Sequence, residues 1–243
     1  MIVENRDGQK LGKLQDFVVD IPSGHVIYAL VSSGHGVGPK RHLKILPPQV
    51  LSTATAKKGV LQLDIAYARW QHAPRFKMPD LDAVSGPEPK AQIYAYYEQP
   101  VNKNNRGELL EFASAIVGKQ VANRQRELLG HFSDLLVDVT GQRIVLAIAV
   151  PVGQVTQNES LAVPLCRLRP TGDPHLWVLD ASREMLAKAP VLDEQSWQKA
   201  SIEGPGTIYR FPDGAYGDGS NRSAVEASKH ACRLYPYVAF CLY

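Results

Sequence analysis

Lys40, Arg41 and His42, with Lys44 two residues on, place four nitrogen bases within five positions. They close a glycine-rich run, Ser33-Gly34-His35-Gly36-Val37-Gly38-Pro39. Basic side chains of this kind hold phosphates and carboxylates through charge-assisted hydrogen bonds. The run lacks the G-x-x-x-x-G-K-[ST] spacing of a phosphate loop, and G-x-G-x-G is not the dinucleotide fingerprint. It also joins two expected strands, so no helix N-terminus stands ready for an anion. The plain reading is a solvated hairpin loop. The sharper one makes Lys40, Arg41, His42 and Lys44 contacts for a small anion or an acidic partner.

Other chemistry fails on spacing. The seven histidines form no H-E-x-x-H or comparable ligand set. Asp213-Gly214-Ala215-Tyr216-Gly217-Asp218-Gly219 suggests calcium, but Ala215 and Gly217 offer no side-chain oxygen where a calcium loop needs one. Ser32 and Ser33 stand on no nucleophile elbow. Cys166, Cys232 and Cys241 make neither a C-x-x-C pair nor an even disulfide set, which fits a reducing compartment. The residues therefore imply no catalytic set, no metal and no cofactor. The protein is expected not to be an enzyme.

The chain of 243 residues has room for two ordinary domains. Its formal charge of +3 is too small to argue for nucleic acid by itself. No window approaches 18 uninterrupted apolar residues, so no transmembrane helix is expected. Met1-Ile2-Val3-Glu4-Asn5 lacks the basic and apolar regions of a signal peptide, which makes the cytoplasm the default compartment. A start upstream of Met1 would open the periplasm or the exterior.

The elements that must position these residues are written twice. Val3, Asn5, Arg6, Leu11, Gly12, Asp16, Val19 and Asp20 return, 118 residues on, as Val121, Asn123, Arg124, Leu129, Gly130, Asp134, Val137 and Asp138. Leu46-Pro47 returns as Val163-Pro164, Leu63-Asp64 as Leu179-Asp180, Ala73-Pro74 as Ala189-Pro190, and Ile93-Tyr94 as Ile208-Tyr209. So long a period indicates a duplicated domain and not a solenoid unit. The second copy is preceded by Ala113–Gln120, which has no counterpart ahead of the first. The opening strand of the first copy is therefore expected to be missing.

In each copy a strand (Leu14–Asp20, Phe132–Asp138) leads through a turn (Pro22-Ser23-Gly24, Thr140-Gly141-Gln142) into an apolar run, Val26–Val31 or Ile144–Val150. Such a run fits a strand covered on both faces. A Pro-terminated segment and another strand follow, then a short helix, Ile65–His72 or Ala181–Lys188. Asp64 or Asp180 is placed to cap that helix, and Pro74 or Pro190 to end it. Leu109–Ala115 is expected to form a short helix into the second copy.

The ordered series Gly8-Gln9-Lys10-Leu11-Gly12, Asp16, Val18-Val19-Asp20 and Ile45-Leu46-Pro47 resembles the PRC-barrel domain family. Leu128-Leu129-Gly130, Asp134, Leu136-Val137-Asp138 and Ala162-Val163-Pro164 repeat it. That family includes the C-terminal domain of the photosynthetic reaction-centre H subunit and a ribosome maturation factor. The Leu-Asp, Ala-Pro and Ile-Tyr echoes look like the extension of stand-alone bacterial PRC-barrel proteins. The second copy departs from the series at Arg126, which stands where the first has Gly8, and at Pro151–Val155 in place of the glycine-rich loop.

The resemblance implies a mainly β protein of two small PRC-type β-barrels in tandem, each followed by a short α-helix. Domain 1 is expected over 1–97, a linker over 98–112, domain 2 over 113–211 and an irregular or flexible tail over 212–243. It implies docking of a protein partner, or self-association, in a scaffold role. An RNA- or ribosome-associated assembly role, by analogy with the maturation factor, is the weaker alternative. A small-anion sensor built on the loop 34–44 is the other.

Overall fold

The computed structural model describes residues 1–32, 42–53, 60–77, 80–101, 109–139, 141–153, 160–163, 165, 168–179, 181–182, 191–192 and 238–240. The chain divides into two compact units, Met1–Ala113 with Val139–Gln142, and Ser114–Asp138 with Arg143–Tyr243. Each unit is mostly β and carries a curled, half-barrel sheet.

In the first unit the strands are β1 (Ile2–Glu4), β2 (Lys10–Asp20), β3 (His25–Ser32), β4 (His42–Leu46), β5 (Leu51–Thr53), β6 (Val60–Leu63), β7 (Arg75–Lys77) and β8 (Leu110–Phe112). They lie in the order β5-β6-β1-β2-β3-β4-β7, with β8 on β2. Among the described strands of this unit, only β1 and β6 run parallel. The expected covered strand is observed: Val26 to Val31 are all buried, without alternation. Phe17, Val18, Leu46, Leu61 and Leu63 complete that core.

In the second unit the strands are β9 (Gln120–Ala122), β10 (Leu128–Asp138), β11 (Arg143–Pro151), β12 (Ser160–Val163), β13 (Leu168–Pro170), β14 (Leu176–Leu179), β15 (Val191–Leu192) and β16 (Val238–Phe240). Their order is β13-β14-β9-β10-β11-β12-β15, with β16 on β10. Here too one pair among the described strands is parallel, β9 with β14. The hairpin registers agree at the same offset of 118: Val19 faces Val26 and Asp20 faces His25, as Val137 faces Ile144 and Asp138 faces Arg143.

Helices are few. The helix expected over Ile65–His72 is α1 (Tyr67–Gln71), and Asp64 does not cap it. Asp64 instead forms an ion pair with Arg6 at 2.7 Å. Of the matching helix expected over Ala181–Lys188, Ala181 and Ser182 are described and are not helical, while 183–188, with Asp180 and Pro190, lie outside the described residues. A helix the sequence did not suggest, α2 (Pro87–Tyr96), buries Lys90, Ile93 and Tyr94. Part of the expected linker belongs to the first unit, because Leu110–Phe112 is laddered to Val18–Asp20. The helix expected over Leu109–Ala115 is thus a strand followed by the short α3 (Ala113–Ile116). In the tail beyond 212 the described residues are the strand Val238–Phe240.

Candidate functional site

The recurring polar residues sit at three corners of each sheet. At the turn between β1 and β2, Asn5 is buried. Its Oδ1 accepts the amides of Asp7 (3.1 Å) and Gln9 (2.9 Å), and its Nδ2 donates to Gln9 Oε1 (2.9 Å). Asn123 repeats this between β9 and β10: Oδ1 accepts from the Glu127 amide (2.8 Å), and Nδ2 donates to Glu127 Oε2 (2.7 Å). A buried side-chain amide in this position replaces the ladder bonds that a turn breaks. Gly8 turns with φ +76°, and Arg126, at the same place in the second unit, holds φ +65° without being glycine.

A second corner is the β-bulge. Register shifts between Leu14 and Asp16 on β2, and between Phe132 and Asp134 on β10. Asp16 Oδ1 accepts the Phe17 amide (2.8 Å), and Asp134 Oδ1 accepts the Leu135 amide (2.7 Å). These carboxylates bind the amides of the residues that follow them, where the bulge disturbs the ladder. Just upstream, Gly12 and Gly130 are required by space. A Cβ would stand 1.8 Å from the Ser32 carbonyl oxygen or 2.2 Å from that of Val150.

The third corner ends the central hairpin. Asp20 is buried, accepts the Ser23 hydroxyl at 2.5 Å and meets the Leu109 amide at a long 3.4 Å. Its charge acts on Lys90, which burial pushes below the usual lysine range and Asp20 pulls back upward. Asp138 is fully buried, and its ion-pair partner is Arg143 at 3.9 Å.

The basic loop does not come together as one described site. Lys40 and Arg41 lie outside the described residues, and His42 opens β4. Lys44 is buried, and its Nζ donates to the carbonyls of Gln71 and Ala73, each at 2.8 Å. It lies 5.9 Å from the Trp70 ring centroid. Burial, and then the Arg75 charge, lower its pKa. Lys44 thus caps the C-terminal end of α1 from inside the fold, a structural duty and not an anion contact.

The sequence reading missed the latch that seats α2. Tyr94 on α2 donates to the Ile27 carbonyl (2.9 Å), Tyr28 on β3 donates to the Val84 carbonyl (3.0 Å), and the rings meet edge-on at 6.2 Å. Burial raises both phenols well above the ordinary tyrosine value. The signal was the Ile93-Tyr94 echo at Ile208-Tyr209, whose second half lies outside the described residues. Trp70 Nε1 similarly donates to the Leu11 carbonyl at 3.0 Å. Among the described residues no group of three or more His, Cys, Asp or Glu side chains is placed to hold a metal ion. Among them, too, no helix is long and apolar enough to cross a membrane.

Short strands, a central bulged hairpin and polar side chains turned to the backbone define a small β-barrel domain. Residues 1–67 match the PRC-barrel domain family, a stretch that runs from β1 to the first residue of α1. No curated protein matches the chain.

Proposed function

We propose that this protein is a non-enzymatic docking module, two PRC-type barrels in tandem that present their loops and strand edges to a protein partner. The observation that supports this reading is where the recurring polar residues are engaged. Asn5 and Asn123, and Asp16 and Asp134, all bind backbone amides of their own unit. Asp20 and Asp138 close the hairpin ends. What the two units share is therefore scaffold, and scaffolds of this kind act through the surface they hold rigid.

The test is cross-linking of the tagged full chain in its native cells, followed by denaturing purification. One protein recovered at near-stoichiometric yield in every replicate supports docking. Recovery of background alone, replicate after replicate, contradicts it.

A further inference from the structure

We propose that the outward face of β7, carried by Arg75 and Lys77 beside Lys44 of β4, is a docking surface for an acidic, extended segment of a protein partner. The proposal rests on the docking reading above and names the chemistry of the partner.

Among the described residues β7 pairs with β4 alone. Its middle residue, Phe76, is buried, while Arg75 and Lys77 are exposed. Residues two apart on a strand share a face at a spacing of about 7 Å, so both cations point the same way. Lys44 faces Arg75 across the ladder, and the Arg75 charge is, after burial, what lowers the pKa of Lys44. Like charges set opposite each other weaken a sheet. Elsewhere in this unit exposed arginines have carboxylate partners: Arg6 has Asp64 at 2.7 Å, and Arg69 has Glu98 at 2.8 Å. Among the described residues neither Arg75 nor Lys77 makes an ion pair. The nearest acid along the chain, Asp80, accepts the Ala83 amide through Oδ1 at 3.2 Å.

The second unit keeps the register and drops the charge. Leu161 faces Val191 as Lys44 faces Arg75, and Ser160 faces Leu192 as Leu43 faces Phe76. The sequence continues to Asp193 where the first copy has Lys77. The ladder therefore forms without cations, and the repulsion in the first unit is a cost the fold does not require. Residues that break a local rule in this way mark contacts made in function.

The same features define the occupant. Two such cations at strand spacing match carboxylates at alternate positions of an extended chain. Phe76 and Trp70, the rings at this corner, are buried and offer nucleic-acid bases no stacking platform.

The test measures binding of a fluorescein-labelled peptide of alternating glutamate and glycine to the full chain, with the glutamine-for-glutamate peptide as control. Saturable binding of the glutamate peptide alone is expected, weakened about fivefold or more by Arg75→Gln with Lys77→Gln. Lys10→Gln with Lys13→Gln removes the same charge from exposed sites on β2 and is expected to leave binding unchanged. No saturable binding, equal binding of the glutamine peptide, or equal weakening by the two double variants overturns the proposal. So does an oligouridylate of equal charge that displaces the peptide more readily than unlabelled peptide does, which would make the face a nucleic-acid site. Urea unfolding is the second measurement. Arg75→Gln relieves Lys44 and is expected to leave the midpoint unchanged or to raise it. A lowered midpoint would assign Arg75 to the fold and overturn the proposal. Failure here beside a partner recovered by cross-linking would remove this face and leave the docking reading standing.

Discussion

The hairpin end at Asp20 and the one at Asp138 have the same register and are stabilised differently. At Asp20 the turn residue in the left-handed region is Gly24 (φ +68°), and the buried carboxylate has Ser23 as donor and the charge of Lys90 from α2. At Asp138 the matching turn residue is Gln142 (φ +57°), and the cation is Arg143, which faces the aspartate across the hairpin where the first unit has His25. The same substitution of a larger residue for glycine occurs at Gly8 and Arg126. A backbone shape can therefore outlast the residue type that makes it easy. It does so at a cost of about 1–2 kcal/mol for a non-glycine residue held left-handed.

The largest effect that would sharpen this comparison lies where both units keep glycine. Gly12→Ala and Gly130→Ala each drive a Cβ into a carbonyl of the neighbouring strand. Each is expected to cost about 3 kcal/mol or more, Gly12→Ala the more because its contact is closer. Urea unfolding followed unit by unit checks this. A loss under 1 kcal/mol at either site would mean the strands part easily there.

Next in size is the tyrosine latch, which the described part of the second unit does not repeat. Tyr28→Phe and Tyr94→Phe are each expected to cost about 1–2 kcal/mol, because each leaves a buried carbonyl without its donor. Both phenols have raised values in the folded chain. The stability they give is thus complete below the unfolded tyrosine value of 10.0 and declines as pH rises above it. Each contributes a slope of about 1.4 kcal/mol per pH unit there. Alkaline denaturation of the first unit should flatten in the double phenylalanine variant, and an unchanged slope would contradict the latch.

The smallest effects test the glycine exchange itself. Arg126→Gly and Gln142→Gly, both in the second copy of the repeat, are each expected to stabilise the chain by about 0.5–1 kcal/mol, after the entropy that glycine adds to the unfolded chain. Gly8→Ala and Gly24→Ala, in the first copy, are expected to destabilise it by about 1 kcal/mol. Thermal melts of the four variants decide it. Opposite signs for the two directions of exchange are required.

The strands, the repeat and the covered hairpin strand were legible because apolar runs between turn residues leave one reading. Gly12 was legible as important but not for its reason: a close approach of two strands depends on the barrel's curvature, which no local pattern encodes. Helix α2 was not legible because its buried stripe, Lys90, Ile93, Tyr94 and Tyr97, begins with a lysine, and its first turn holds two prolines. Lys44 misled in the opposite direction. A cation beside a glycine loop reads as an anion contact until the end of α1 is seen to deliver two carbonyls to it. Asp64 resembled a helix cap by position alone, and Arg6 claimed it across the fold.

The central claim is that the polar side chains shared by the two units hold the turns and bulges of their own unit through backbone amides. Hydrogen exchange on the full chain carrying Asn5→Ala, beside the chain carrying Asn123→Ala, tests it most directly. The predicted result is a loss of protection confined to the altered turn and its flanking strand ends, of similar size in the two variants, with partner recovery unchanged. Protection retained in both turns while partner recovery falls would contradict the claim and make these asparagines contact residues.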